Sequence, residues 1–299
     1  MWERNRIMFA IIGIVVVFLS IIGGFLMEKG KLLVLLQPSE MVIIAGAAIG
    51  TLVIANPMSL VIRIFKSLMG IMGGNRFTKA FYLESLKMLS DIFVFARKNG
   101  MGKLEEEVEH PEKSTVLSKY PSLVKDHHLL HFVCDTLRMA VSGVVAAHDL
   151  DALVEQDIEI HHHEISAPAR SLTTVSDALP GLGIVAAVLG VVITMGSLGG
   201  PPEEIGKKVA AALVGTFLGI LLCYGLVGPL AANMSKAVDD EHAYYQVLRV
   251  MIVAFMKGTA PSLAVEIGRR AIPGRVRPGF QEAEMYIKDK NSAPVAVAA

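Results

Sequence analysis

The stretch Ala178–Gly200, ALPGLGIVAAVLGVVITMGSLGG, decides the fold class, because it runs 23 residues without one Asp, Glu, Lys, Arg or His. A hydrocarbon core of about 30 Å takes roughly 20 apolar residues of helix, so this run is long enough to cross a membrane. Three more charge-free runs of comparable length flank it: Ile7–Leu26, Met41–Ile62 and Val209–Ser235. One such run could be the core helix of a soluble domain, but four argue against that reading. Composition agrees, with 53% hydrophobic residues and a mean hydropathy of +0.53 over 299 residues. The fold class expected is all-α: a polytopic membrane protein with four transmembrane helices and a large helical cytoplasmic domain between helices two and three.

The first run follows Arg4 and Arg6 as a signal peptide would, yet it exceeds a signal-peptide core, and no small-x-small cleavage site follows in Gly23–Gly30. It is expected to be a retained anchor. Arg4, Arg6, Arg63, Lys66, Arg76, Arg170, Lys236 and Arg249 fall on one side of the spans, and Lys29, Lys31, Lys207 and Lys208 on the other. This bias places both termini and the long middle segment in the cytoplasm. Cys134 and Cys223 then both sit away from the oxidising side, and no disulfide framework is implied. The 28 basic and 28 acidic residues cancel, which leaves no overall basic field to attract nucleic acid.

The expected organisation is residues 1–62 for spans one and two, 63–177 for a cytoplasmic helical domain, 178–235 for spans three and four, and 236–299 for a cytoplasmic helix extension with a flexible tail. In the middle segment Phe81, Leu86, Leu89, Ile92, Phe93 and Ala96 recur at helical spacing, and Gly100 with Gly102 is expected to end that helix. A second helix is expected over Ser122–Val141, and a third behind Asp149 as N-cap. Beyond span four the pattern continues through Tyr244, Val247, Met251 and Phe255, is interrupted at Gly258 and Pro261, and resumes as a short helix over Pro261–Ala271. The stretch Asn291–Ala299 is expected to be disordered. Little material lies outside the membrane, namely Glu28–Glu40 and Pro201–Lys208.

Within the spans Gly46 with Gly50, and Gly215 with Gly219, have the small-xxx-small spacing that lets helices approach closely, either within one chain or against a partner. The runs contain no ionisable group; their hydroxyls, among them Thr51, Thr194 and Thr216, cannot titrate in a useful range. If ions pass here, a partner must supply the carboxylate. Pro180 stands near the start of span three, where Ser176 or Asp177 could cap a first turn, and Pro229 stands near the end of span four, where a kink is expected.

The segments Asp177-Ala-Leu-Pro-Gly-Leu-Gly-Ile-Val-Ala-Ala-Val, Val214-Gly-Thr-Phe-Leu-Gly-Ile-Leu-Leu and Tyr224-Gly-Leu-Val-Gly-Pro-Leu-Ala resemble the A subunit family of the flagellar motor stator, MotA, within the wider MotA/TolQ/ExbB proton-channel group. The likeness extends over nearly the whole chain. It implies a ring of A subunits, a homopentamer, around a B-subunit dimer whose helices carry the ion-binding aspartate, in the bacterial inner membrane. It also implies torque delivered to a rotor switch protein in the cytoplasm. By the motif match Pro180 and Pro229 are the family's conformationally important prolines, and Arg97 and Glu105, with Lys98 and Glu106 beside them, match its rotor-facing charges. Physically, Arg97-Lys-Asn-Gly-Met-Gly-Lys-Leu-Glu105-Glu-Glu is a basic helix end, a glycine turn and an acidic cluster, a pattern that a solvated charge run would share. Sodium-driven relatives are expected to carry a threonine where this sequence has Ala187, while Thr216 matches the family's span-four threonine. Protons are therefore the expected ion.

His161-His-His-Glu164 lies in the third cytoplasmic helix, where adjacent residues point to different faces. A shared metal would need Asp157 with His161, and an exposed surface run is the expectation instead. No cofactor, metal site or enzymatic activity is expected, and no nucleic-acid partner. The competing readings are an energy-transducing ring of the ExbB or TolQ type, expected to have three spans, and a membrane metalloenzyme using the histidines, for which no nucleophile or cofactor motif is present.

Overall fold

The computed structural model describes residues 6–71, 76–143, 145–196 and 199–289, and every regular element among them is helical. In chain order the α-helices are α1 (Arg6–Met27), α2 (Pro38–Ala55), α3 (Met58–Ile71), α4 (Lys79–Asn99), α5 (Met101–Glu109) and α6 (Pro121–Val124). They continue with α7 (His127–Val141), α8 (Ala147–Met195), α9 (Pro202–Leu222), α10 (Gly228–Met256), α11 (Pro261–Ala271) and α12 (Phe280–Lys288). A π-helical turn, Cys223–Val227, joins α9 to α10. The tail Asn291–Ala299, expected to be disordered, lies outside the described residues.

Among the described residues four stretches are long and apolar enough to cross a membrane: Met8–Met27, Pro38–Ala55, a part of Ala147–Met195 and a part of Pro202–Met256. The chain divides into two compact units, Met1–Gly74 with Ile165–Ala237, and Asn75–Glu164 with Val238–Ala299. The first is the membrane unit. Span two differs from its expected limits at both ends. Its helix stops at Ala55, because Asn56 is extended and Pro57 cannot donate to the helical ladder. Asn56 Nδ2 instead donates to the Leu52 carbonyl at 2.8 Å, and Ser171 Oγ donates to Asn56 Oδ1 at 2.7 Å. At the other end the helix begins at Pro38, so Glu40 stands in its first turn. The expectation that no ionisable group enters a spanning helix is corrected by that residue.

The second unit is built around α4, which Thr78 caps by accepting from the Phe81 amide at 3.3 Å. Phe81, Leu86, Leu89 and Phe93 are fully buried and share one core with Leu104 of α5, Leu137 of α7 and Leu248 of α10. Phe93 stacks on Phe255 with ring centroids 4.3 Å apart, and Ser85 Oγ meets Tyr244 Oη at 2.7 Å. Gly268 of α11 lies against Met251, so close that a Cβ there would collide with the Met251 side chain. The C-terminal segment thus supplies part of the core of this unit rather than trailing from it. Helix ends follow local chemistry. Gly100 ends α4 at φ +88°, whereas Gly102 lies inside α5, and Asp126 splits the expected Ser122–Val141 helix by capping α7 through the amides of His128 and Leu129. Asp149 is a first-turn residue of α8, not its cap. The short helix Pro261–Ala271 has the expected limits.

Candidate functional site

The membrane unit is organised by a seam of small residues between α8 and α9. A Cβ on Gly219 would stand 2.6 Å from the Leu179 carbonyl oxygen and 2.9 Å from the Gly183 Cα, and one on Gly183 would stand 2.8 Å from the Gly215 oxygen. Only glycine permits that approach. The Gly215–Gly219 pair therefore packs within the chain, whereas nothing lies within 4 Å of a Cβ at Gly46 or Gly50. Ala187 comes to the same level, its amide nitrogen 3.2 Å from the Gly215 Cβ position, one residue from Thr216. Thr51 and Thr194 donate to the carbonyls of Ala48 and Gly190 in their own helices. Thr216, half-buried, makes no side-chain hydrogen bond among the described residues.

Glu40 enters this seam by helical phase. It heads the buried stripe Glu40, Ile44, Ala48 and Leu52, each four residues apart on one face of α2. Only 5% of it is exposed, and its Oε2 has no hydrogen-bond partner among the described residues. That oxygen lies 2.6 Å from where a Cβ of Gly215 would stand, and Oε1 lies 3.4 Å from the corresponding point on Gly190.

Pro180 lies in the interior of α8, because the helix runs unbroken through Ser176 and Asp177. Neither residue is a cap, and Asp177 is exposed. Pro180 has no amide hydrogen to offer the carbonyl of Ser176, one turn earlier. The Ser176 hydroxyl is buried and donates to the Cys223 carbonyl at 3.2 Å. Cys223 opens the π turn that absorbs the break in the ladder before Pro229, with the Gly228 amide donating to the same carbonyl. The two proline sites are thus one hydrogen bond apart. Pro229 itself is exposed and lines a groove of about 450 Å³ with Phe9, Gly13 and Val17 of α1.

In the second unit Arg97 and Lys98 occupy the last turn of α4, where cations suit the helix dipole, and the chain reverses at Gly100 into α5. Arg97 is exposed and donates to the Gly258 carbonyl at 3.2 Å. Lys98, Glu105 and Glu106 are exposed, and no ion pair among the described residues involves them. Glu107 behaves differently. It accepts from the Thr115 amide and hydroxyl, both at 2.7 Å, and from Ser114 and the Val116 amide. Burial acts to raise its pKa, but these hydrogen bonds outweigh it and hold the carboxyl below its ordinary value. Of the acidic cluster, Glu105 and Glu106 face outward and Glu107 ties down a loop.

The histidine run is an exposed surface only in part: His163 and Glu164 are exposed, whereas His161 and His162 are half-buried. His161 is half-buried and pairs with Glu241 at 3.1 Å, and His242 pairs with Glu159 at 3.0 Å, so α8 and α10 are cross-linked twice. His161 also packs edge-on to Tyr245, and His162 lies 4.5 Å from His242 between ring centroids. Asp157 lines a hollow with His161, His128, His131 and Asp135, and among the described residues no three such groups are arranged to hold a metal ion. Cys134 is buried, which pushes its thiol pKa up to about 11. Sequence reasoning missed Glu40 and the role of Ser176. Pro38 at the first helical position was the available sign that Glu40 lies inside a helix.

Residues 11–100 match the family described as Motility protein A N-terminal, and residues 125–247 match the MotA/TolQ/ExbB proton channel family. Motility protein A of Escherichia coli (strain K12) is 38% identical over 281 residues, 94% of this chain and 95% of its own. Chemotaxis protein LafT of Vibrio parahaemolyticus is 35% identical over 93% of this chain and 98% of its own. Among solved structures, the flagellar MotAB stator complex from Bacillus subtilis aligns with a TM-score of 0.71 at 23% identity, over 89% of this chain and 96% of that one. The C. jejuni MotAB structure aligns with a TM-score of 0.74 at 18% identity, over 91% and 98%.

Proposed function

Because the chain belongs to the motility protein A family, we propose that it is the ion-driven A subunit of a flagellar motor stator. Five copies surround a pair of B subunits in the bacterial inner membrane, with both termini and the middle segment in the cytoplasm. The observation that supports this most is the α8–α9 seam. Its middle, from Ala178 to Met195 and from Val209 to Leu222, contains no titratable acid or base. It does present Thr216, a hydroxyl that makes no side-chain hydrogen bond among the described residues, at the level of Ala187. Such a surface suits a partner helix that brings the carboxylate. The ion is a proton, because Ala187 supplies no side-chain oxygen and a sodium ion needs several oxygen ligands.

Loading and release of the partner's carboxylate changes what the seam packs against. The joint at Ser176, Cys223, Pro180 and Pro229 is where α8 and the α9–α10 rod yield, since both proline sites lack a ladder bond and share one hydroxyl contact. The rotor switch protein is engaged through the exposed charges Arg97, Lys98, Glu105 and Glu106, whose two signs fit a partner of alternating charge. An ExbB or TolQ type of ring is the weaker reading, because the match to Motility protein A N-terminal includes spans one and two.

Expression in a strain lacking both stator subunits tests this. Swimming restored only when a B subunit is co-expressed is the expected result; paralysis with every B subunit supplied, while the chain is present in the membrane, would refute it.

A further inference from the structure

The exposed rotor-facing charges, the groove beside Pro229 and the paired histidines are each accounted for by packing or by the stator reading. Glu40 is not. A carboxyl on the buried stripe of α2 occupies a register position where Ile44, Ala48 and Leu52 show that an apolar side chain would pack. An ionised carboxylate there, without a donor or counter-ion among the described residues, is disfavoured by desolvation, so plain stability does not account for it. The seam is nonetheless shaped around it. Gly190 and Gly215 leave the space its two oxygens fill, and a side chain at Gly215 would collide with Oε2.

We propose that Glu40 is a proton-exchange site of the membrane unit, taking a proton from the aqueous phase beside the 28–37 connection and passing it along the seam toward the partner's carboxylate. The path part of this rests on the stator reading. Three features support exchange over a static buried acid. Glu40 stands in the first turn of α2, so it lies a single turn from the end of the span, and yet only 5% of it is exposed. Its Oε2 has no partner among the described residues to hold the proton in place. Gly215, against which that oxygen rests, immediately precedes Thr216, whose hydroxyl is uncommitted and can relay a proton by rotation. The two glycines against which its oxygens lie, Gly190 on α8 and Gly215 on α9, are flanked by uncharged residues, Ala212 at the first and Ala186 and Ala187 at the second. The nearest basic groups along α9 are Lys207 and Lys208, about two turns before Gly215, with Lys207 paired to Glu203 at 2.9 Å. Lys29 and Lys31 precede α2 in the connection. The chemistry therefore favours a proton over a metal cation, which would need further oxygen ligands.

Two measurements on the full-length protein test the site. In the first, the chain is reconstituted with its B subunit in vesicles containing a pH-sensitive dye, and proton uptake is followed under an imposed potential. Glu40→Gln keeps the shape of the neutral acid, so a packing role would survive it, whereas loss of exchange should slow uptake by about a hundredfold. Glu40→Asp, which keeps the acid, should recover part of the rate. Wild-type uptake in Glu40→Gln with the B subunit still bound would overturn the proposal. In the second, the carboxyl stretch of the A subunit alone is followed by infrared difference spectroscopy during a pH titration. A band that titrates in the wild type and is missing from Glu40→Gln is expected, and no Glu40-dependent band at any pH would overturn the proposal. A titrating band with no uptake by the wild-type complex would support exchange at Glu40 and count against the stator reading instead.

Discussion

Gly219→Ala tests the seam on which the membrane unit depends. The added methyl would stand 2.6 Å from the Leu179 carbonyl oxygen, about 0.8 Å inside ordinary van der Waals contact, and 2.9 Å from the Gly183 Cα. Both obstacles are backbone, so relief requires the helices to move apart. Overpacking of this kind costs about 1–3 kcal/mol. Opening the seam by 0.5–1 Å also forfeits roughly a quarter to a half of each contact across it. Against this stands the better helix propensity of alanine, about 1 kcal/mol at most. Gly46→Ala gains the same propensity with nothing within 4 Å to strike. The two variants should therefore differ by about 2 kcal/mol, Gly219→Ala being the less stable, or about 5 °C in thermal midpoint. Circular dichroism melting of the detergent-purified chain measures this. Equal midpoints would mean that α8 and α9 do not approach as closely as described.

Charge reversal at Arg97 or Glu105 should lower swimming speed without lowering the amount of protein in the membrane, and an opposite-sign change on the rotor partner should restore part of it; normal swimming in both single variants would sink that assignment. Pro180→Leu restores the missing ladder donor to Ser176, so the stator should assemble and fail to move, as scored by B-subunit copurification alongside motility. Glu84 is buried, which raises its carboxyl pKa against the opposing hydrogen bond from Ser122. Its contribution is favourable below the unfolded value near 4.5 and is lost as pH rises through the folded value, so Glu84→Gln should melt higher than wild type at pH 7 and no higher at pH 4. Glu266 is the opposite case. Hydrogen bonds from Arg269 first, and from Arg270, hold it at about 2, so the stability it adds is present above 4.5 and disappears as pH falls toward 2; Glu266→Gln should flatten the acid limb of the melting curve.

The spans were legible because a charge-free run of that length has few other fates. The same counting explains the errors. It treats Glu as a border, so Glu40 ended a run when it in fact opens a helix, and it ignores Pro57, which contains no charge and still stops α2. Gly100 and Pro261 mark helix ends because glycine accepts the φ of +88° at which α4 stops and proline suits the first position of a helix, and both were read directly. Asp177 and Asp149 looked like caps by residue type, but whether a helix starts at a capping residue depends on what precedes it: α8 already begins at Ala147, which puts Asp149 in its first turn and Asp177 deep in its interior. The histidine pairs were invisible for another reason: Glu241 and Glu159 are separated from His161 and His242 by about eighty residues of sequence. Contacts of that range come from the packing of α8 on α10, which no local pattern encodes. The positions of Arg97, Glu105 and Thr216 could be read from the resemblance, whereas the bond from Arg97 to the Gly258 carbonyl, and the absence of a side-chain partner for Glu105 and Thr216 among the described residues, could be read only from the fold.

The central claim is that the α8–α9 seam is a docking surface for a B-subunit helix carrying the carboxylate. Disulfide trapping measures this directly, with Thr216→Cys in a chain whose Cys134 and Cys223 are replaced by Ser, and a single cysteine placed one helical turn from the B subunit's membrane aspartate. A crosslink between A and B subunits at that pair, absent when the cysteine is moved to exposed Gly46, is the predicted result; crosslinks from Gly46 and none from Thr216 would contradict the account.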